Sequence, residues 1–144
     1  MKTVKQILAK KGHRLHSVEP TTSVFDALRR MADEEIGALV VIEGGDLAGI
    51  LSERDYARKV ILKGRHSEDT PVSAIMTSNV VCVTSDTRID ACMSIMTGRR
   101  VRHLVVRDEE ALSGVISIGD VVHAIIEDQQ FTIEQLEHYI SNGR

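Results

Sequence analysis

The sequence predicts an α+β fold of the α/β type: two β-α-β-β-α repeats packed pseudo-symmetrically, sheet to sheet, with a helix at the C-terminus. Three observations predict it. Shifted by 65 residues, Val18–Lys59 matches Val83–Ala124 without a gap, with identities that include Val18/Val83, Thr22/Thr87, Met31/Met96, Leu39/Leu104, Val40/Val105, Gly49/Gly114, Ser52/Ser117 and Asp55/Asp120. Strand and helix periodicities alternate in the same order in both copies. A unit of about 60 residues buries too little apolar surface to be comfortable alone, whereas two such units can share one core. The boundaries expected are 1–65 for the first repeat with an N-terminal helix, 66–128 for the second, and 129–144 for a C-terminal helix and tail.

Each copy reads in the same way. A short strand (Leu15–Val18; Val80–Val83) runs into a turn, and Thr22 or Thr87 stands where a helix N-cap belongs. Val24, Ala27, Leu28 and Met31, like Ile89, Cys92, Met93 and Met96, recur at helical spacing. Two apolar strands follow, Ala38–Ile42 with Leu47–Leu51 and His103–Arg107 with Leu112–Ser117, joined by Gly44-Gly45-Asp46 and Asp108-Glu109-Glu110. A second helix begins near Ser52 or Ser117. An amphipathic leader with Val4, Ile7 and Leu8 precedes the first copy and is expected to correspond to Ala74-Ile75-Met76 ahead of the second. Thr132 and Gln135 form a capping box for a last helix over Ile133–Ile140.

Composition narrows the function. The 144 residues are 42% hydrophobic and 27% charged, ordinary for a folded soluble domain. No apolar run approaches the roughly 18 residues needed to cross a bilayer. Met1-Lys2-Thr3-Val4-Lys5 lacks the apolar core of a signal peptide, so a cytoplasmic location is expected. A net charge of −3 and 3% aromatic residues argue against nucleic acid or an anionic membrane as the partner. Cys82 and Cys92 read as core thiols. The six histidines, His13 among them, form neither a His-x-His pair nor a His-Glu-x-x-His motif, so no metal is assigned.

The chemistry concentrates in Gly49-Ile50-Leu51-Ser52-Glu53-Arg54-Asp55 and Gly114-Val115-Ile116-Ser117-Ile118-Gly119-Asp120. Each is an apolar strand ending in Ser, with Asp three residues on at the mouth of a helix. Ser-x-x-Asp is a capping box in its own right. It is also a place for a carboxylate to accept two hydrogen bonds from a ribose 2′,3′-diol, each contributing on the order of 1.5–3 kcal/mol. Phosphates need a positive counterpart. Arg99 and Arg100 read as a solvated basic helix end, whereas Arg102 and His103 enter a strand where phosphate contact is expected. The aligned positions in the first copy, Gly37 and Ala38, are small and uncharged, so the two sites should differ.

The duplication, the paired Gly-h-h-Ser-x-x-Asp motifs and Arg102-His103-Leu104-Val105-Val106 resemble a tandem CBS-domain pair, or Bateman module. The likeness extends over nearly the whole chain. It is nearest to stand-alone bacterial CBS-pair signalling proteins, which carry segments similar to Ser52–Lys59, Ile75-Met76-Thr77 and Phe131–Ile140. The resemblance implies a non-catalytic module that binds AMP, ADP, ATP or NAD(H), ahead of S-adenosylmethionine, in clefts between the repeats, senses energy or redox state, and signals to an unidentified effector. It also implies a homodimer. One nucleotide site would use Ser52, Arg54, Asp55, Thr77, Asn79, Val80, Val81, Arg102 and His103. The other would use Lys11, Gly12, Arg14, Leu15, His16, Ala38, Leu39, Ser117, Gly119 and Asp120. At the offset of 65, Gly12 stands opposite Thr77 and has no hydroxyl. Two alternatives stand beside it. A nucleotide-processing enzyme lacks a Walker loop or a nucleophile with an obvious base, and a nucleic-acid binder built on Arg99, Arg100, Arg102 and Arg107 is opposed by the net charge.

Overall fold

Each repeat builds one mixed three-stranded sheet, and the two sheets repeat one another residue for residue. The computed structural model describes residues 2–12 and 14–142; His13 lies outside them. In chain order the elements are α1 (Val4–Lys11), β1 (Ser17–Val18), α2 (Val24–Glu34), β2 (Ala38–Glu43), β3 (Asp46–Ser52), α3 (Glu53–Tyr56), β4 (Cys82–Val83), α4 (Ile89–Arg99), β5 (His103–Asp108), β6 (Ala111–Ser117) and α5 (Ile118–Asn142). A π-helical turn, Ala57–Ile61, extends α3, and a 3₁₀ turn, Val72–Ala74, precedes β4.

The sheet orders are β1-β2-β3 and β4-β5-β6. In each, the short first strand pairs parallel to the second, and a hairpin supplies the third antiparallel. The registers Ser17↔Val40 and Cys82↔Val105 are 65 residues apart, as are the irregularities at Val41/Ile42 and Val106/Arg107. The hairpins achieve the same turn with different residues. Gly44 and Gly45 take φ of 58° and 85°, as a type I′ turn requires, while Glu109 takes φ 55° in the second copy.

The chain divides into two compact units: Leu15–Val80, hereafter the first-repeat unit, and Met1–Arg14 with Val81–Arg144, the second-repeat unit. Each has its own core. Met31, Leu39, Val41, Leu51 and Ile75 are central to the first, and Leu8, Ile89, Met96, Leu104 and Ile116 to the second. Helix α1, the leader of the first repeat in sequence, therefore packs with the second repeat, and residues 66–80 pack with the first.

The leaders are in register at a different offset from the sheets. Thr3 bridges Arg88 as Pro71 bridges Ser23, which places position 3 against 71, a separation of 68 rather than 65. Val4 N–H donates to the Thr87 carbonyl (2.9 Å) as Val72 N–H does to Thr22 (2.8 Å). Leu8 and Met76 then occupy equivalent places, one against Gly114 and the other against Gly49. The first leader thus holds three more residues before its sheet, and they extend α1 by most of a turn bearing Lys10 and Lys11. The leader therefore matches Ala74-Ile75-Met76 as expected, but at 68 residues rather than 65, and the pairing of Gly12 with Thr77 falls away.

Other expectations are also corrected. Ser23, not Thr22, caps α2, its Oγ accepting from Asp26 N–H at 3.1 Å. Helix α4 begins after Arg88 without a side-chain cap, and Thr87 instead accepts from Thr84 N–H within the preceding turn. Strands β1 and β4 are two residues long, shorter than expected. Helix α5 runs unbroken from Ile118 to Asn142. Neither Gly nor Pro interrupts residues 120–142, and the Thr132 hydroxyl turns back to the Asp128 carbonyl at 3.0 Å, a mid-helix bond rather than a cap. Cys92 is a core thiol whose pKa burial, and then Asp90, push up, but Cys82 is exposed.

Candidate ribose-gripping edges on the two units

In the first-repeat unit β3 delivers Ser52 to the N-cap of α3, and both halves of the capping box form. Asp55 N–H donates to Ser52 Oγ (3.2 Å), and Ser52 N–H donates to Asp55 Oδ2 (3.0 Å), which also accepts from the Ser52 hydroxyl (3.0 Å). The other oxygen, Oδ1, lies 3.2 Å from Lys59 Nζ one helical turn on. Lys59 also donates to the Ile75 carbonyl at 3.0 Å. Behind this edge Thr77 and Ile50 exchange two backbone hydrogen bonds of 2.9 Å. Glycine is obligatory at position 49 for that approach: a Cβ there would stand 2.8 Å from the Thr77 carbonyl oxygen. Asn79 is exposed and Val80 half-buried at the end of the same segment.

The second-repeat unit builds the same box with a different cation. Ser117 N–H donates to Asp120 Oδ2 (2.9 Å), and Asp120 N–H donates to Ser117 Oγ (3.1 Å). Lys11, from the extra turn of α1, donates to that same Oδ2 at 2.7 Å and to the Val115 carbonyl at 2.9 Å. Val115 is the counterpart of Ile50, so a lysine side chain stands where the first-repeat unit uses the backbone of Thr77. Burial pushes the Asp120 carboxyl up, but the Lys11 hydrogen bond and charge, with the Ser117 N–H and hydroxyl, hold it below its ordinary value. Asp120 Oδ1 accepts no hydrogen bond among the described residues.

A cleft of about 340 Å³ opens beside Asp120, between α1 and α5. Lys2, Lys10 and Lys11 line one side; Asp120, His123 and Glu127 line the other. Glu127 gathers two ammonium groups and an imidazole: Lys10 Nζ at 2.9 Å, Lys2 Nζ at 3.2 Å and His123 Nε2 at 2.8 Å. The hydrogen bonds from Lys10 and Lys2 lower its pKa to about 2. Sequence reasoning singled out Lys11 but missed Lys2, Lys10, Glu127 and Lys59. Only Lys59 carried a local signal, its helical spacing from Asp55.

The remaining expected site residues distribute as follows. Arg102 is exposed, and its carbonyl accepts the first N–H of α5, from Ile118, at 2.9 Å; the Gly37 carbonyl does the same for Glu53 at 3.1 Å. His103 pairs across its hairpin with Ser117, as Ala38 does with Ser52. Arg102, His103 and Val81 therefore share a unit with Asp120, and Ala38 and Leu39 share one with Asp55. Leu39 is fully buried and presents no side chain to a ligand. Leu15 and His16 are half-buried, and His16 Nε2 lies 3.8 Å from Glu34. Gly12 caps α1, Arg14 is exposed, Arg54 is half-buried, and Gly119 is exposed in the first turn of α5. Arg99 and Arg100 are exposed where α4 ends. Among the described residues, no group of three His, Cys, Asp or Glu side chains is placed to hold a metal, and no helix is long and apolar enough to cross a membrane.

This doubled geometry has close parallels. The family model for the CBS domain matches residues 4–62 and 72–127. A CBS domain-containing protein, CBSX3, from Arabidopsis thaliana is 40% identical over 126 residues, 84% of this chain; the chain spans 61% of that relative's length. A solved structure of a protein with CBS domains from Burkholderia ambifaria superposes with a TM-score of 0.85 at 49% identity, covering 92% of this chain and 99% of that one. A CBS domain protein from Pyrobaculum aerophilum, complexed with AMP, shares the fold at a TM-score of 0.71 and 21% identity, over 82% of this chain and 88% of that one. The repeated sheet, the paired capping boxes and these matches agree: the chain belongs to the CBS-domain family, as a tandem pair of CBS domains.

Proposed function

We propose that this CBS pair is a non-catalytic regulatory module that binds an adenosine-containing ligand, AMP, ADP, ATP or NAD(H), through its Ser-x-x-Asp edges. In this reading it reports energy or redox state to a partner protein and self-associates as a homodimer. One observation carries it. Asp120 is held ionised by contacts to a single oxygen, leaving Oδ1 to accept from a sugar hydroxyl, with the Lys11 ammonium 2.7 Å from Oδ2 and able to turn to a phosphate. A capping box alone needs no such cation.

Asp55 is the weaker of the two edges. Both of its oxygens are engaged, one by Ser52 and the other by Lys59, so a diol must displace Lys59. The AMP complex of the Pyrobaculum relative supports the ligand class. Arg102 and His103 remain the proposed phosphate contacts, and Thr77, Asn79, Val80, Val81, Gly12, Arg14, Leu15, His16 and Ala38 the proposed neighbours of the adenosine.

Calorimetric titration with AMP, ATP and NAD tests the reading. Asp120→Ala is expected to weaken binding roughly 10–100-fold, the loss of one to two charge-assisted hydrogen bonds. Unchanged affinity in both Asp120→Ala and Asp55→Ala overturns it, and so does steady conversion of ATP by the pure protein.

A further inference from the structure

Helix α5 outruns the core it packs on. Val121 and Ala124 are buried and Ile125 packs against the core cluster; beyond Ile125 the helix continues for about 25 Å at 1.5 Å per residue. That projection is not a uniformly polar solvated helix. Val122, Ile126, Gln129, Ile133, Leu136 and Ile140 alternate spacings of four and three, and the five apolar residues among them are between 40% and 58% exposed.

A period of seven rather than 3.6 is the signature of a seam that meets another helix along its length. Isoleucine occupies all three positions of one row, Ile126, Ile133 and Ile140. The other row holds Val122, Gln129 and Leu136. β-Branched residues in the first row with Leu in the second favour two strands, and one polar residue within a seam fixes its register. The charges agree. Glu127, Asp128 and Glu134 lie on the opposite face, and of the positions flanking the projecting seam only Glu137 is ionised, so two copies meet without a ladder of repelling carboxylates.

The area is also sufficient. Five large apolar residues, each about half exposed, bring two copies to a buried surface on the order of 1,000 Å², the threshold for a specific interface. We infer that α5 is the self-association surface of this protein: a second copy docks seam to seam along Val122–Ile140 as a two-stranded coiled coil. The inference rests on the proposed homodimer and is independent of the ligand.

Sedimentation of the full chain at micromolar concentration tests it, with thermal melting as a check on the fold. The expected result is a dimer for the native sequence and a monomer, self-associating at least 100-fold more weakly, for Ile133→Asp/Leu136→Asp with its core melting unchanged. Gln129→Leu, which removes the polar residue from the seam, is expected to tighten the dimer about tenfold or more. A native dimer that persists in the double variant, or that Gln129→Leu leaves unaltered, overturns the seam while sparing self-association. A monomeric native protein overturns both.

Discussion

The two units are one design executed with different parts. In the first-repeat unit the edge behind the capping box is sealed by backbone: Thr77 and Ile50 exchange hydrogen bonds, and the cation on Asp55 comes from its own helix. In the second-repeat unit the leader is three residues longer, α1 gains most of a turn, and Lys11 reaches across to Val115 and Asp120 together. A backbone bridge is rigid and leaves no room, whereas a lysine can rotate away. The difference teaches that a duplicated module can keep its sheet register and still make one edge closed and the other adjustable.

The largest expected effect probes how closely each leader approaches its sheet. Gly49→Ala should cost about 3 kcal/mol in urea unfolding, because the new Cβ meets a carbonyl oxygen fixed in a bridge. Gly114→Ala should cost less, about 2 kcal/mol, since its φ of 159° adds strain but the clash at 2.9 Å is with the Leu8 Cδ2 methyl rather than with a fixed backbone atom. Equal costs would remove the contrast. Leu39→Ala and Leu104→Ala, both fully buried at equivalent positions, should each lose about 3 kcal/mol and serve as the calibration.

Next in size is the response to acid. Glu127 and Asp120 have carboxyl pKa values below their ordinary ones, so the stability they contribute is full above the unfolded values and is lost as pH falls through the folded ones. For Glu127 the window runs from its usual 4.5 down to about 2. Amide exchange should therefore show α1 loosening on acidification within that range, before the sheet β1-β2-β3 does. Glu127→Gln should flatten that response, and its persistence unchanged would exclude Glu127 as the source. Smallest is salt: Lys10 is exposed and Lys2 partly so beside Glu127, so raising ionic strength should lower stability only slightly in urea unfolding.

The shared architecture was legible because it repeats. Identities such as Leu39/Leu104 and Gly49/Gly114 fixed the hairpins and both Ser-x-x-Asp boxes, since the same apolar alternation must bury the same face twice. What the repeat could not reveal lies where the copies depart from each other. The leaders share only Val4/Val72 and Ile7/Ile75 at 68 residues, outside the register of 65 that the sheets set, so the extra turn with Lys10 and Lys11 went unseen. Glu127 gathers lysines more than a hundred residues away in sequence, a contact no local pattern encodes. The single long α5 was missed for a different reason: Thr132 has the residue type of a cap, and only its bond to Asp128 shows it inside a helix.

The central claim is that the Asp120 carboxylate accepts hydrogen bonds from a ribose diol. Calorimetry with AMP and its 2′-deoxy counterpart, on the native protein and on Asp120→Asn, tests it most directly. The expected result is a preference for AMP of about tenfold or more in the native protein that vanishes in the variant. Equal affinity of the native protein for the two ligands would contradict it.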